Sequence, residues 1–240
     1  MTEDMWLARA LDGEAEWGEA VREVAEREAF GWAVARLADP DMLVRRFAAG
    51  VVEELSFDPK PSPAEAIAAL TERLDAEGDG CALASVVIAY TQYHHPHARP
   101  ELKKLAGHRD PRVRAAVADG VGEPETLLAL AGDPDGDVRA TALAWLFRLY
   151  DFAPAIAAAF AAHRDDDNLD ARIPSLAGLA RAGDDTALAE LLELAGGRDD
   201  VPAYWRYDEV VLWRKHTGQS KVVPSAALAS SRGGGSKRSP

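Results

Sequence analysis

This sequence is short of cysteine, of aromatic side chains and of positive charge. Its one cysteine, Cys81, excludes an intrachain disulfide and a zinc site built from several thiolates. Aromatics make up 7% of the residues while alanine is abundant, a composition suited to helices that pack closely through small side chains. Lysine and arginine number 27 against 40 aspartates and glutamates, giving a formal net charge of −13. A surface of that sign repels phosphate backbones and anionic membranes, so nucleic acid would need a local basic patch. No apolar run reaches the ~18 residues that a membrane-spanning helix needs. The opening Met1-Thr2-Glu3-Asp4-Met5-Trp6 is acidic and lacks the basic-then-apolar pattern of a secretion signal, so a cytoplasmic location is expected. Catalytic motifs are also missing: there is no Gly-x-Ser-x-Gly, no phosphate-cradling glycine loop and no His-Glu-x-x-His.

What is present is a repeat. Residues Leu105–Val117 and Leu130–Leu143 carry the same phrase: a helix end Leu-Ala-Gly, an Asp/Pro turn, then a helix whose early residues include Val-Arg-Ala. Self-similarity of this kind implies stacked helical hairpins, and the 48% apolar content of the 240 residues is enough to bury their faces. Helical spacing of apolar residues predicts helices over 41–55, 63–76, 81–93, 100–106, 111–121, 124–131, 137–150, 153–163, 169–182 and 186–195. A further apolar run covers Glu14–Leu37, with Gly31 as the expected break or bend. Trp6 and Leu7 anchor a short lead-in helix, while Trp17, Phe30 and Trp32 add bulk to one end of the stack. The prolines of Phe57–Pro63 make a connection, Val201–Thr217 reads as an aromatic-rich C-terminal cap, and residues 218–240 read as a polar Gly/Ser-rich disordered tail.

Asp41–Arg45, Asp110–Arg114 and Asp135–Arg139 each place an Asp four residues before an Arg, with Val ahead of the Arg. Asn168–Arg172 is a weaker copy with Ala171 for the Val. The copies at Arg114, Arg139 and Arg172 are separated by 25 and 33 residues, and the 69 residues between Arg45 and Arg114 leave room for a degenerate repeat. On these residues the chain, over 33–195, resembles the HEAT-repeat superfamily, in particular its short phycobilisome-lyase HEAT-like variety. The resemblance implies that the Arg reaches across its turn to neighbouring repeats in a polar ladder. That the Asp caps the second helix follows independently, because a side-chain oxygen there satisfies orphan N–H groups.

The resemblance also implies a concave face made of second helices, where a partner lies. Counting from each ladder Arg places Arg46, Glu54, Arg112, Asp119, Asp137, Arg148, Asp170 and Arg181 on that face, a row of mixed sign. Other clusters carry less. Pro96 breaks the helical spacing of His94, His95 and His97, and no acid stands beside them, so a surface loop is expected rather than a metal site. Asp165-Asp166-Asp167-Asn168 lacks the glycine and late Glu of a calcium loop and reads as a capping turn. Arg206, Arg214, Lys215 and the Arg232/Lys237/Arg238 end make the C-terminus locally basic.

The expectation is an all-α, right-handed α–α superhelix, a HEAT-like solenoid of about five hairpins over residues 1–217, monomeric and without cofactor, metal or catalytic residue. Its function is expected to be that of a non-catalytic scaffold or adaptor docking another protein on the concave face, in one version an inhibitor or immunity-type protein that matches a basic enzyme by charge. The competing expectation is an alkylpurine DNA glycosylase of HEAT-like build, for which Trp145, Arg148, Trp205 and Trp213 supply some of the residue types but no basic stripe exists. Nothing identifies a bilin pocket.

Overall fold

The computed structural model of the protein describes residues 1–27, 29–57, 63–93, 100–149 and 153–195, and the regular elements among them are helices. In chain order these are α1 (Glu3–Leu11), α2 (Trp17–Ala25), α3 (Phe30–Arg36), α4 (Met42–Glu54), α5 (Pro63–Ala76), α6 (Gly80–Tyr93), α7 (Pro100–Lys103), α8 (Pro111–Gly120), α9 (Pro124–Ala131), α10 (Gly136–Leu149), α11 (Pro154–Ala162), α12 (Leu169–Arg181) and α13 (Asp185–Ala195). The chain is all-α, held by repeated helix-on-helix packing. The starts of these helices follow from local chemistry. Pro63, Pro100, Pro111, Pro124 and Pro154 each occupy the first helical position, where the absent N–H costs nothing and φ is already helical. Thr2, Glu16, Asp41, Asp110 and Asn168 cap theirs by accepting a backbone N–H.

The chain divides within α10 into two compact units, Met1–Trp145 and the residues from Leu146 on. In the first, α2 and α3 pack on α4, α4 packs on α6, and α6 packs on both α5 and α8. Phe47, Val51 and Val52 of α4, Leu70 of α5 and Val87 of α6 are fully or almost fully buried there. Trp17 and Trp32 meet Phe47 edge-on, with ring centroids 5.3 and 6.2 Å away, and Trp6 and Leu7 of α1 are buried, so this end is closed by aromatic bulk. In the second unit α12 packs against α11 and α13 around Phe160, Leu176 and Leu191. Pro174 stands inside α12, and the neighbouring Ser175 hydroxyl donates 2.9 Å to the Ala171 carbonyl.

Two helix crossings depend on glycine. A Cβ on Gly120 of α8 would lie 1.9 Å from Cγ2 of Thr91 on α6, and one on Gly178 of α12 would lie 2.4 Å from the Phe160 ring on α11. Gly31 behaves differently from its expected role as a helix break. It sits exposed inside α3 with no packed atom nearby, and the helical run is interrupted earlier, between Ala25 and Phe30. The helix expected over 100–106 ends at Lys103 and continues as tight turns through Leu105 and Ala106. Most of the proline-rich connection, the His94–His97 stretch, the Val201–Thr217 cap and the 218–240 tail lie outside the described residues.

Gly120→Ala and Gly178→Ala should each lower unfolding free energy by about 1–3 kcal/mol, because the added methyl overpacks a tight crossing. Gly31→Ala should instead raise it by up to ~1 kcal/mol, through the helix propensity it restores. Urea unfolding of the three variants checks both signs. A harmless Gly120→Ala would contradict the packing described.

Candidate functional site

The turns that precede the second helices share one construction. Asp41, Asp79, Asp110, Asp135 and Asn168 each accept, through Oδ1, a backbone N–H from the first turn of the helix that follows. Two residues before each cap stands a second acceptor. Asp39, Glu77, Asp133 and Asp166 each take the cap residue's own N–H on a carboxylate oxygen, and His108 takes that of Asp110 on Nδ1 at 3.1 Å. The ladder arginines bind this frame. Nη1 of Arg45 donates to the carbonyls of Asp39 and Pro40 at 2.8 and 3.0 Å. Nη1 of Arg114 reaches His108 and Arg109 at 2.8 and 3.3 Å, and that of Arg139 reaches Asp133 and Pro134 at 3.0 and 3.1 Å.

The rest of the guanidinium crosses to the next turn. Arg45 donates Nε and Nη2 to the two oxygens of Glu77 at 2.7 and 2.8 Å, and Arg114 does the same to Asp133 at 2.7 and 2.7 Å. A fork-on-carboxylate pair is the strongest geometry available to these groups. Both acids are sequestered, the Glu77 side chain being 0% exposed and that of Asp133 7%. Burial alone pushes the Glu77 carboxyl up. The Arg45 hydrogen bonds, the Asp79 N–H and Arg73 outweigh that and hold it at about 2. Asp133 is likewise pushed up by burial and drawn below the usual carboxylate range by Arg114 and the Asp135 N–H.

The rung between α6 and α8 is missing on both sides. Leu83 of α6 stands where the arginine would be, six residues after Glu77, and His108 stands where the receiving acid would be. In its place the backbone closes up: a Cβ on Gly80 would lie 2.0 Å from Oδ2 of Asp110. At the last copy, Arg172 Nε is buried and has no hydrogen-bond partner among the described residues.

The residues expected on the binding face fall in both units. In the first unit, Arg46 lies 4.9 Å from the Trp17 ring centroid, and exposed Arg112 forks onto Asp110 at 2.7 and 3.1 Å. Asp119 of α8 is exposed and accepts the Trp145 indole N–H at 2.9 Å, while Asp137 is exposed at the start of α10. Glu54 is half-buried near the end of α4, next to Glu53, which the sequence reading did not single out. Burial, then the charges of Glu54 and Asp119, push the Glu53 carboxyl up, so α4 and α8 bring acids together across α6. In the second unit Arg148 and Asp170 are exposed. Arg181 is a fold residue: its Nη1 donates 2.8 Å to the Phe147 carbonyl and its guanidinium lies over the Phe147 ring at 5.2 Å. Among the described residues no three His, Cys, Asp or Glu side chains gather as a metal site would, and no helix is long and apolar enough to cross a membrane.

No known protein family matches the sequence, and no curated protein does. The fold does have a solved counterpart. The X-ray structure of YIBA_ECOLI, a Northeast Structural Genomics Consortium target from Escherichia coli, is similar at a TM-score of 0.61 and 18% identity, covering 89% of this chain and 86% of that one. At that identity the likeness speaks for the fold alone.

The folded value of about 2 for Glu77, against 4.5 ordinarily, means that its pairing stabilises fully above pH 4.5 and is lost as pH falls towards 2. The linked stability is about 3 kcal/mol. Glu77→Gln should therefore cost roughly that at pH 7, with the gap to the parent closing as pH falls from 4.5 to 2. Urea titrations at several pH values measure this, and a gap that stays constant would contradict it. Arg139→Ala should cost about 1–3 kcal/mol through its two turn carbonyls. An unchanged urea midpoint would count against the ladder.

Proposed function

We propose that this protein is a non-catalytic, protein-binding scaffold of the HEAT-repeat kind, a right-handed solenoid of about five hairpins that acts as a cytoplasmic monomer. The observation that carries the reading is the side-by-side packing of α4 on α6 and α6 on α8. This leaves one stripe of α6, Cys81, Ser85, Ile88 and Gln92, half-exposed, while its remaining residues from Ala82 on are buried. A helix flanked on both sides that still presents a continuous row at spacings of four, three and four is a surface for an incoming chain. The repeated cap-and-arginine turns support the family assignment. The acidic net charge supports the narrower version, an inhibitor or immunity-type protein for a basic enzyme.

The glycosylase alternative has less support in the site. The Trp145 indole N–H is engaged by Asp119 and the Arg112 guanidinium by Asp110, so the group beside this half-exposed tryptophan is an acid, which repels a phosphate backbone. Affinity capture from the native cell extract tests the scaffold reading, using the intact protein, an Ile88→Arg face variant and a Glu72→Arg variant on the exposed side of α5. A protein should be held by the first and third and lost by the second. If no protein is held but alkylated DNA is bound and releases bases, the repair enzyme replaces the scaffold.

A further inference from the structure

The open stripe of α6 consists of Cys81, Ser85, Ile88 and Gln92, and the two helices that flank it carry Glu53 and Glu54 at the end of α4 and Asp119 near the end of α8. The two signs of charge around it are not equivalent. Arg46 is laid on Trp17 and Arg112 is forked onto Asp110, so the cations of this region are already engaged within the fold. Neither Glu53 nor Glu54 has an ion pair among the described residues, and Asp119 accepts the N–H of the neutral Trp145 indole. The uncompensated charge of this face is therefore negative, close to a floor that is partly apolar at Ile88.

Building on the docking reading above, we propose that the α4–α6–α8 face takes a lysine- or arginine-bearing polypeptide segment, whose cations lie between Glu53/Glu54 and Asp119 and whose aliphatic stems rest on Ile88. The chemistry favours a polypeptide over the other cationic ligands. A single metal ion is not favoured, since among the described residues no three ligating side chains converge. Lysine and arginine combine a long apolar stem with a charged head, which is the pairing that an apolar floor between acidic borders recognises. The acids on this face are like charges held near one another, so an incoming cation relieves repulsion as well as adding attraction.

The test is a titration of the isotope-labelled full chain, at physiological salt, with a synthetic twelve-residue peptide of alternating lysine and leucine, and with its glutamate counterpart. The parent should bind the lysine peptide alone, with amide shifts confined to α4, α6 and α8. The triple variant Glu53→Gln/Glu54→Gln/Asp119→Asn should weaken binding about tenfold or more. Its Asn keeps an acceptor for Trp145, and circular dichroism verifies that it is folded. A control with the same loss of charge elsewhere, Glu65→Gln/Glu72→Gln/Glu125→Gln, should weaken it no more than about twofold. Equal weakening by both variants, shifts outside these helices, a dimer that covers the face, or no binding of the lysine peptide would each overturn the proposal. Should Ile88→Arg abolish capture of the natural partner while the triple charge variant leaves it intact, the docking reading survives and the cationic occupant does not.

Discussion

The arginine clamp at the turns is the interaction on which the first unit depends. One guanidinium carries five N–H donors in a rigid plane, and Arg45 and Arg114 each aim them in two directions at once. Nη1 holds two carbonyls of the arginine's own turn, while Nε and Nη2 grip a carboxylate belonging to the next. Lysine, a point charge on a flexible stem, cannot do both. Burying such a pair carries a desolvation penalty, and the penalty is offset here because the carboxylate also accepts a backbone N–H from its own turn. The acid thus fixes the shape of one turn and ties it to the previous one.

The interrupted rung shows how far the device can be replaced. Leu83 and His108 are absent partners of each other, so neither leaves a buried charge behind. Coupled loss of this kind costs far less than losing one partner alone. The junction is then held by close approach, with Gly80 admitting Asp110, Gly120 admitting Thr91, and the long contact of α6 with α8. The clamps sit at the helix starts. The middle and ends of α4, α6 and α8 take no part in the clamps, and half-exposed Ser85, Ile88 and Glu53 and exposed Asp119 lie there. Separation of the part that holds the turns from the part that faces outward is what lets a repeat protein change partners without changing fold.

Much of this was legible in the residues. The Asp and Asn caps, the helical runs of α4, α5 and α12 and the degenerate character of the α5–α6 pair all have local causes, which is why a linear reading finds them. The receiving acids Glu77 and Asp133 were missed although they leave a mark, an acid two residues before the cap, which Asp39 and Asp166 share. The mark is short and acidic residues are common in turns, so only the geometry of the arginine gives it meaning. Arg181 carries the opposite lesson. Its helical register placed it with Arg148 among face residues, but register says nothing about the Phe147 carbonyl that captures it. Glu53 was passed over because its significance lies across α6, in Asp119, 66 residues further along.

The claim that successive turns are coupled through the clamp is tested most directly by a double-mutant cycle on Arg114 and Asp133. Unfolding free energies of the parent, Arg114→Ala, Asp133→Ala and the double variant give the coupling without assigning a value to either residue alone. The account predicts a double variant less damaged than the sum of the two, with a coupling of about 2 kcal/mol or more. Single-variant losses that add to within ~0.5 kcal/mol would mean that the two turns stand independently and that the fork between them contributes nothing.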